Sequence, residues 1–120
     1  MSDQSPMELF EEIAKKANES AGGQSIIKEW VGPYNGKILQ FETDTEKFYL
    51  MIAHGKMEIC TGEYPSPDLT FRGSSQVIID VFTGKRSIGD AIKRWDLLLM
   101  GAGHEGFMLG KLITTLYSEA

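Results

Sequence analysis

Gly101, Gly103 and Gly106 have the spacing G-x-G-x-x-G, between an apolar run at Leu97-Leu98-Leu99-Met100 and a helical pattern from Phe107 onward. In a dinucleotide-binding fold such glycines let the backbone close on a pyrophosphate at a helix N-terminus. That chemistry also needs a further strand and an acidic residue about 20 positions on. Residues 107–120 hold neither at that distance, and the fingerprint belongs to a first strand rather than a last one. A tight strand-to-helix turn is the expected role. Its free N–H groups stay open to a carboxylate or phosphate headgroup.

The other reactive residues are few. His104-Glu105 has no second histidine four residues on, so it is not a zinc-protease motif. One cysteine and two histidines do not make a dedicated metal site. His54 falls in a turn, where solvent exposure is expected. Cys60 follows Ile59 in a predicted strand and reads as a buried, inert thiol. It has no partner for an internal disulfide. No serine or cysteine has a recognisable nucleophile context. The sequence therefore promises no enzyme active site, no metal and no cofactor.

The elements that must position these residues fit one domain over residues 1–120, long enough to bury about two-thirds of its unfolded surface. Net charge is −5, and the adjacent basic pairs are Lys15-Lys16, Lys85-Arg86 and Lys93-Arg94. That scatter argues against nucleic acid, which calls for a basic face. It offers anionic lipid no attraction beyond those pairs. Apolar runs fall far short of the roughly 20 residues of a membrane span. No basic segment followed by an apolar core opens the chain, so a cytoplasmic location is expected.

Ser5-Pro6-Met7-Glu8 reads as a capped helix start, followed by an apolar stripe at Met7, Phe10, Ile13, Ala14 and Ala17. Gly22-Gly23 should end that helix. Ile26, Ile27, Trp30 and Val31 should form a short helical turn that Gly32-Pro33 stops. From Lys37 the period becomes two, with Leu39, Phe41 and Thr43 alternating with Gln40 and Glu42. Phe48–Ala53 is apolar on both faces and should be a central strand. His54-Gly55 turns it into Lys56–Thr61, with Met57 and Ile59 inward. Tyr64-Pro65-Ser66-Pro67 is a connection, and Asp68–Arg72 a fourth strand. Ser74 or Ser75 caps a helix carrying Val77, Ile78, Val81 and Phe82, closed by Thr83-Gly84. Ser87-Ile88-Gly89-Asp90 opens a short helix through Arg94. Leu97–Met100 has no polar face, so a cover on both sides is expected.

The order of elements from Ile59 to Leu116 resembles the sterol-carrier-protein family of lipid-binding domains. The residues that carry the likeness are His54-Gly55-Lys56-Met57, Pro67-Asp68-Leu69-Thr70-Phe71, Phe82-Thr83-Gly84-Lys85, Asp90-Ala91-Ile92 and Leu97-Leu98-Leu99-Met100-Gly101. The likeness begins near Met7 and is best from His54 onward. It implies an α+β fold: a five-stranded mixed, mainly antiparallel sheet with helices on one face, enclosing an apolar tunnel. It implies a tunnel wall of Phe71, Ile78, Phe82, Ile92, Leu97, Leu99, Phe107 and Leu112. Fatty acids, acyl-CoA esters, phospholipids or sterols are the implied ligands, and transfer between membranes without catalysis is the implied activity. Six Met and six Phe suit such an adaptable cavity.

The sequence departs from that pattern at Trp95-Asp96, where relatives usually have Gly-Lys, and at Ala102, where they usually have a polar residue. Leu98 and Met100 replace polar residues in the last strand and are expected to form a hidden surface, such as a homodimer contact. Two other readings use the same apolar surface: a protein-interaction module, and an enzyme accessory domain with His104-Glu105 near a ligand headgroup.

Overall fold

Ser5 starts the first helix as a reciprocal cap. Its hydroxyl accepts from the Glu8 N–H at 3.1 Å, and its own N–H donates to the Glu8 carboxylate at 2.9 Å. The computed structural model describes residues 4–31 and 36–118. The first helix, α1, runs Pro6–Glu19 and buries Leu9, Phe10, Ile13, Ala14 and Ala17. It ends at Ser20, before Gly22-Gly23. Those glycines lie inside a second helix, α2, Ala21–Val31, which is longer than the expected single turn. Gly23 is there for contact: a Cβ would meet the Ala17 carbonyl oxygen at 2.7 Å, so the α1–α2 corner closes only on hydrogen. The Gly32-Pro33 stop lies outside the described residues.

Five strands follow: β1 Gly36–Glu42, β2 Lys47–Ala53, β3 Lys56–Thr61, β4 Leu69–Gly73 and, after two helices, β5 Leu97–Gly101. Their order is β3-β2-β1-β4-β5. β1 pairs with β4 in parallel and every other neighbour is antiparallel, so the sheet is mixed as expected. His54 and Gly55 both have positive φ, 55° and 77°, the signature of a two-residue turn between β2 and β3. The intervening helices are α3, Ser75–Phe82, and α4, Ile88–Lys93, capped by Ser74 and Ser87. The last helix, α5, runs Gly103–Ser118.

Helices cover only one face of the sheet, the one presenting Leu39, Phe41, Phe48, Leu50, Ile52, Leu69, Phe71 and Leu97. Five of the six phenylalanines meet there. Phe41 stacks between Phe48 at 5.0 Å and Phe71 at 4.9 Å, while Phe10 and Phe82 close on it from α1 and α3 at 4.5 and 5.9 Å. At the edge of the sheet the Asn18 amide exchanges two hydrogen bonds with the Met57 backbone, each 2.9 Å, and ties α1 to β3.

The opposite face has no second layer among the described residues. Leu98 and Met100 point to it, 36% and 37% exposed, so the expected cover over both sides of β5 is not found. The register decides this: Leu98 pairs with Arg72 and Met100 with Thr70, residues of the uncovered face. Gln40 is also on that face yet is buried. It donates to the carbonyls of Phe48 and Gly62 and accepts from the Tyr64 N–H, holding the β3–β4 connection against the sheet.

Asp44, in the β1–β2 turn, accepts from both the backbone N–H and the hydroxyl of Ser75 at 2.8 Å. These donors, the backbone one first, hold its carboxyl below the usual carboxylate range. A lowered folded value means that the stability Asp44 contributes is present above about pH 4 and lost as pH falls through that value. Asp44→Asn is expected to flatten the acid limb of the urea midpoint between about pH 5 and pH 3. Identical acid limbs in both proteins would exclude the linkage.

Candidate functional site: an apolar groove along the last helix

α5 has two working faces. Met108, Leu109, Leu112 and Leu116 are buried in the core. Gly106, Phe107, Gly110, Ile113 and Tyr117 face a groove of about 880 Å³, whose other wall is Leu9 of α1, Val81 and Phe82 of α3, and Ile88 of α4. That volume lies within the roughly 300–1,000 Å³ usual for small-molecule sites. Three glycines, Gly84, Gly106 and Gly110, belong to the lining. A Cβ on Gly110 would meet nothing within 4 Å. Gly106 backs onto the sheet, its Cβ position 3.3 Å from Leu69, 3.6 Å from Phe71 and 3.9 Å from Leu99.

Polar groups in the lining are Gln4, Glu12, Thr83, Lys111, Thr114, Thr115 and Tyr117. The Gln4 amide donates to Glu12 at 3.0 Å, and Lys111 pairs with Glu29 at 3.1 Å in an exposed bridge. Burial, with a smaller push from the Glu12 charge, raises the Tyr117 phenol above its usual range. A neutral phenol and one lysine at the wall suit a ligand with an apolar body and a small polar end.

Of the eight expected wall positions, Phe82 and Phe107 line this groove. Phe71 and Leu99 stand behind Gly106. Ile78, Leu97 and Leu112 are buried in the core, and Ile92 lies exposed on α4. Leu9, Val81, Ile88, Gly110 and Ile113 also line the groove and were not among those positions. Gly110 was the readable signal: a glycine inside a helical pattern costs about 1 kcal/mol against alanine and calls for a reason.

The glycine-rich segment makes the expected tight strand-to-helix turn, with only Ala102 between β5 and α5. Gly101 ends β5 with φ 121°, and α5 begins at Gly103. A Cβ on Gly101 would sit 2.5 Å from the Asp68 carbonyl oxygen, so this position requires glycine for conformation and close approach alike. Residues 101–105 do not line the groove. Glu105 turns inward instead. Its carboxylate accepts from the Trp30 indole N–H at 2.9 Å and pairs with Lys37 at 2.7 Å. That buried cluster joins α2, β1 and the first turn of α5, where the helix dipole favours an acid. His104 is exposed, its ring 6.3 Å from that of Phe107.

The profile of the SCP-2 sterol transfer family matches residues 10–102. The chain belongs to that family of lipid-binding domains. The UbiJ-SCP2 ubiquinone synthesis protein has a similar fold, with a TM-score of 0.71 and 12% identity over 88% of this chain and 84% of that one. Sterol carrier protein 2 from Yarrowia lipolytica, in its apo form, gives 0.65 and 15% over 88% and 87% of the two chains. The palmitated sterol-carrier-like protein SCP2L2 from Aedes aegypti gives 0.58 and 18% over 92% and 95%. No curated protein matches the chain in sequence. The α+β fold with its five-stranded mixed sheet is thus the family's fold, as the sequence led us to expect. Among the described residues, no helix is long and apolar enough to cross a membrane.

Proposed function

We propose that the chain is a non-catalytic lipid carrier that holds an acyl or sterol-like ligand in the groove along α5 and releases it unchanged. The observation that carries this reading is the groove itself: about 880 Å³, walled by Leu9, Val81, Phe82, Ile88, Phe107 and Ile113. A palmitated relative of the same fold supports an acyl ligand. Burial of the apolar body drives binding, at about 25 cal/mol per Å² removed from water, and gives a negative heat-capacity change. Movement of the Leu69, Phe71 and Leu99 side chains behind Gly106 would deepen the groove toward the sheet. Native mass spectrometry followed by organic extraction tests the reading. A fatty acid, phospholipid or sterol near one per chain supports it. A chain that carries nothing and refuses added fatty acid refutes it.

Gly110 separates ligand space from core. Gly110→Ala is expected to stabilise by about 0.5–1 kcal/mol, because it removes a helical glycine without a clash. Gly110→Phe fills the groove from a position where nothing opposes it. It should keep the melting temperature and weaken displacement of a fluorescent fatty acid at least about tenfold, a loss of about 1.4 kcal/mol. Full affinity in a folded Gly110→Phe protein would place the ligand elsewhere.

A further inference from the structure

Trp95 is 81% exposed and has φ 64°. A bulky side chain in the left-handed region is strained and persists only where its surroundings impose it. Here they do. The Asp96 N–H donates to the Ala91 carbonyl at 2.9 Å, the Asp96 carboxylate pairs with Arg86 at 2.6 Å, and the Trp95 N–H donates to the Ile92 carbonyl at 3.1 Å. The turn between α4 and β5 therefore holds an indole outward. The other tryptophan, Trp30, is buried on Glu105.

Trp95 does not stand alone. Ile92 and Ile88, one helical turn apart on α4, are 41% and 37% exposed, and Phe107 across the groove is 69% exposed. Ile88 and Phe107 also line the groove, so exposed apolar side chains of α4 adjoin it. The charge around it is opposite to that of the chain. Residues 85–96 carry Lys85, Arg86, Lys93 and Arg94 against Asp90 and Asp96, in a protein of net charge −5. Asp90 is shared by Arg86 and Arg94, and Asp96 is held by Arg86. Lys85 and Lys93 are exposed and form no ion pair among the described residues.

We propose that α4 and the Trp95 turn are the surface on which the groove mouth docks to an anionic lipid bilayer. Indole is the side chain best suited to a boundary that is apolar below and wet above. The lysines flanking it are attracted to the anionic surface, and their long stems let the charged ends lie at the headgroups while the isoleucines enter. A protein partner would also bury the tryptophan. The excess of unpaired lysine beside an opening suited to an apolar ligand fits a lipid surface better. The role of the mouth as a passage for ligand rests on the carrier reading; the docking itself does not.

The test is flotation of the full chain with vesicles of phosphatidylcholine alone, or of phosphatidylcholine with phosphatidylglycerol. Binding is expected only to the second, weakening as salt rises. The buried Trp30 emits unchanged, so a blue shift on binding reports Trp95. Trp95→Gly suits φ 64° and should leave the melting temperature unchanged or higher, while lowering vesicle partition by about tenfold or more. Lys85→Glu with Lys93→Glu should remove the salt-dependent part. No binding by the wild type, or undiminished binding by both variants, overturns the proposal. Uptake of a fluorescent fatty acid in the absence of vesicles should be the same in Trp95→Gly. A wild type that binds vesicles but takes up no lipid refutes the carrier reading and leaves the docking surface standing.

Discussion

Phe41→Ala is expected to destabilise the protein by about 3–5 kcal/mol, the usual cost of removing a fully buried phenylalanine. Phe41 is 0% exposed and belongs to the central strand, with β2 on one side and β4 on the other. Its ring is the only one that touches all four other members of the cluster: Phe10, Phe48, Phe71 and Phe82. Deleting it opens a hole bounded by four large rings, each fixed to a different element, which cannot collapse together. A domain of this size has about 5–15 kcal/mol in total, so the variant should be partly unfolded at ambient temperature. Urea unfolding measures the effect, with Phe41→Leu as a smaller truncation that should retain much of the stability. A loss below about 1 kcal/mol would mean that the cluster is not the core of the fold.

Glu105→Ala is expected to cost about 2–3 kcal/mol. The side chain is 4% exposed and serves two donors at once, the Trp30 indole and the Lys37 ammonium. Removing it takes the acceptor from a buried indole N–H and the carboxylate from beside the Lys37 ammonium. Lys37 retains 17% exposure and is partly relieved by solvent, which keeps the figure below that of a fully buried pair. Glu105→Gln keeps an oxygen for the indole and loses only the charge pairing, so it should cost less than the alanine variant. Trp30 fluorescence follows the change directly, because the indole loses its partner. Since Glu105 does not line the groove, lipid uptake by the folded fraction should not change. Lost uptake at unchanged stability would instead make Glu105 a ligand contact.

The phenylalanines show how composition misleads when it is read without position. Six Phe and six Met suit an adaptable cavity, yet five of the Phe form a close-packed cluster on the sheet and no methionine lines the groove among the described residues. The cavity is bounded by aliphatic, aromatic and polar side chains together, and Gly110 leaves open space in its wall.

What the sequence determined by itself was whatever depends on residues a few positions apart. The Ser5–Glu8 cap, the His54-Gly55 turn, the caps at Ser74 and Ser87, and the alternation in β1 are short-range hydrogen-bond and steric choices. Together they were specific enough in order to point to the family. Tertiary structure decided the rest, because burial depends on what a strand or helix lies against. Leu98 and Met100 form an exposed pair only because antiparallel pairing with β4 puts them on the face that the helices leave open. Gly22-Gly23 sit inside α2 rather than after α1, because contact with Ala17 outweighs the low helix propensity of glycine. Glu105 became a core anchor instead of a headgroup contact when folding brought it to Trp30 and Lys37, 75 residues away in the first case. The groove itself is the space that remains when α5 packs against α1, α3 and α4, and no local pattern specifies it.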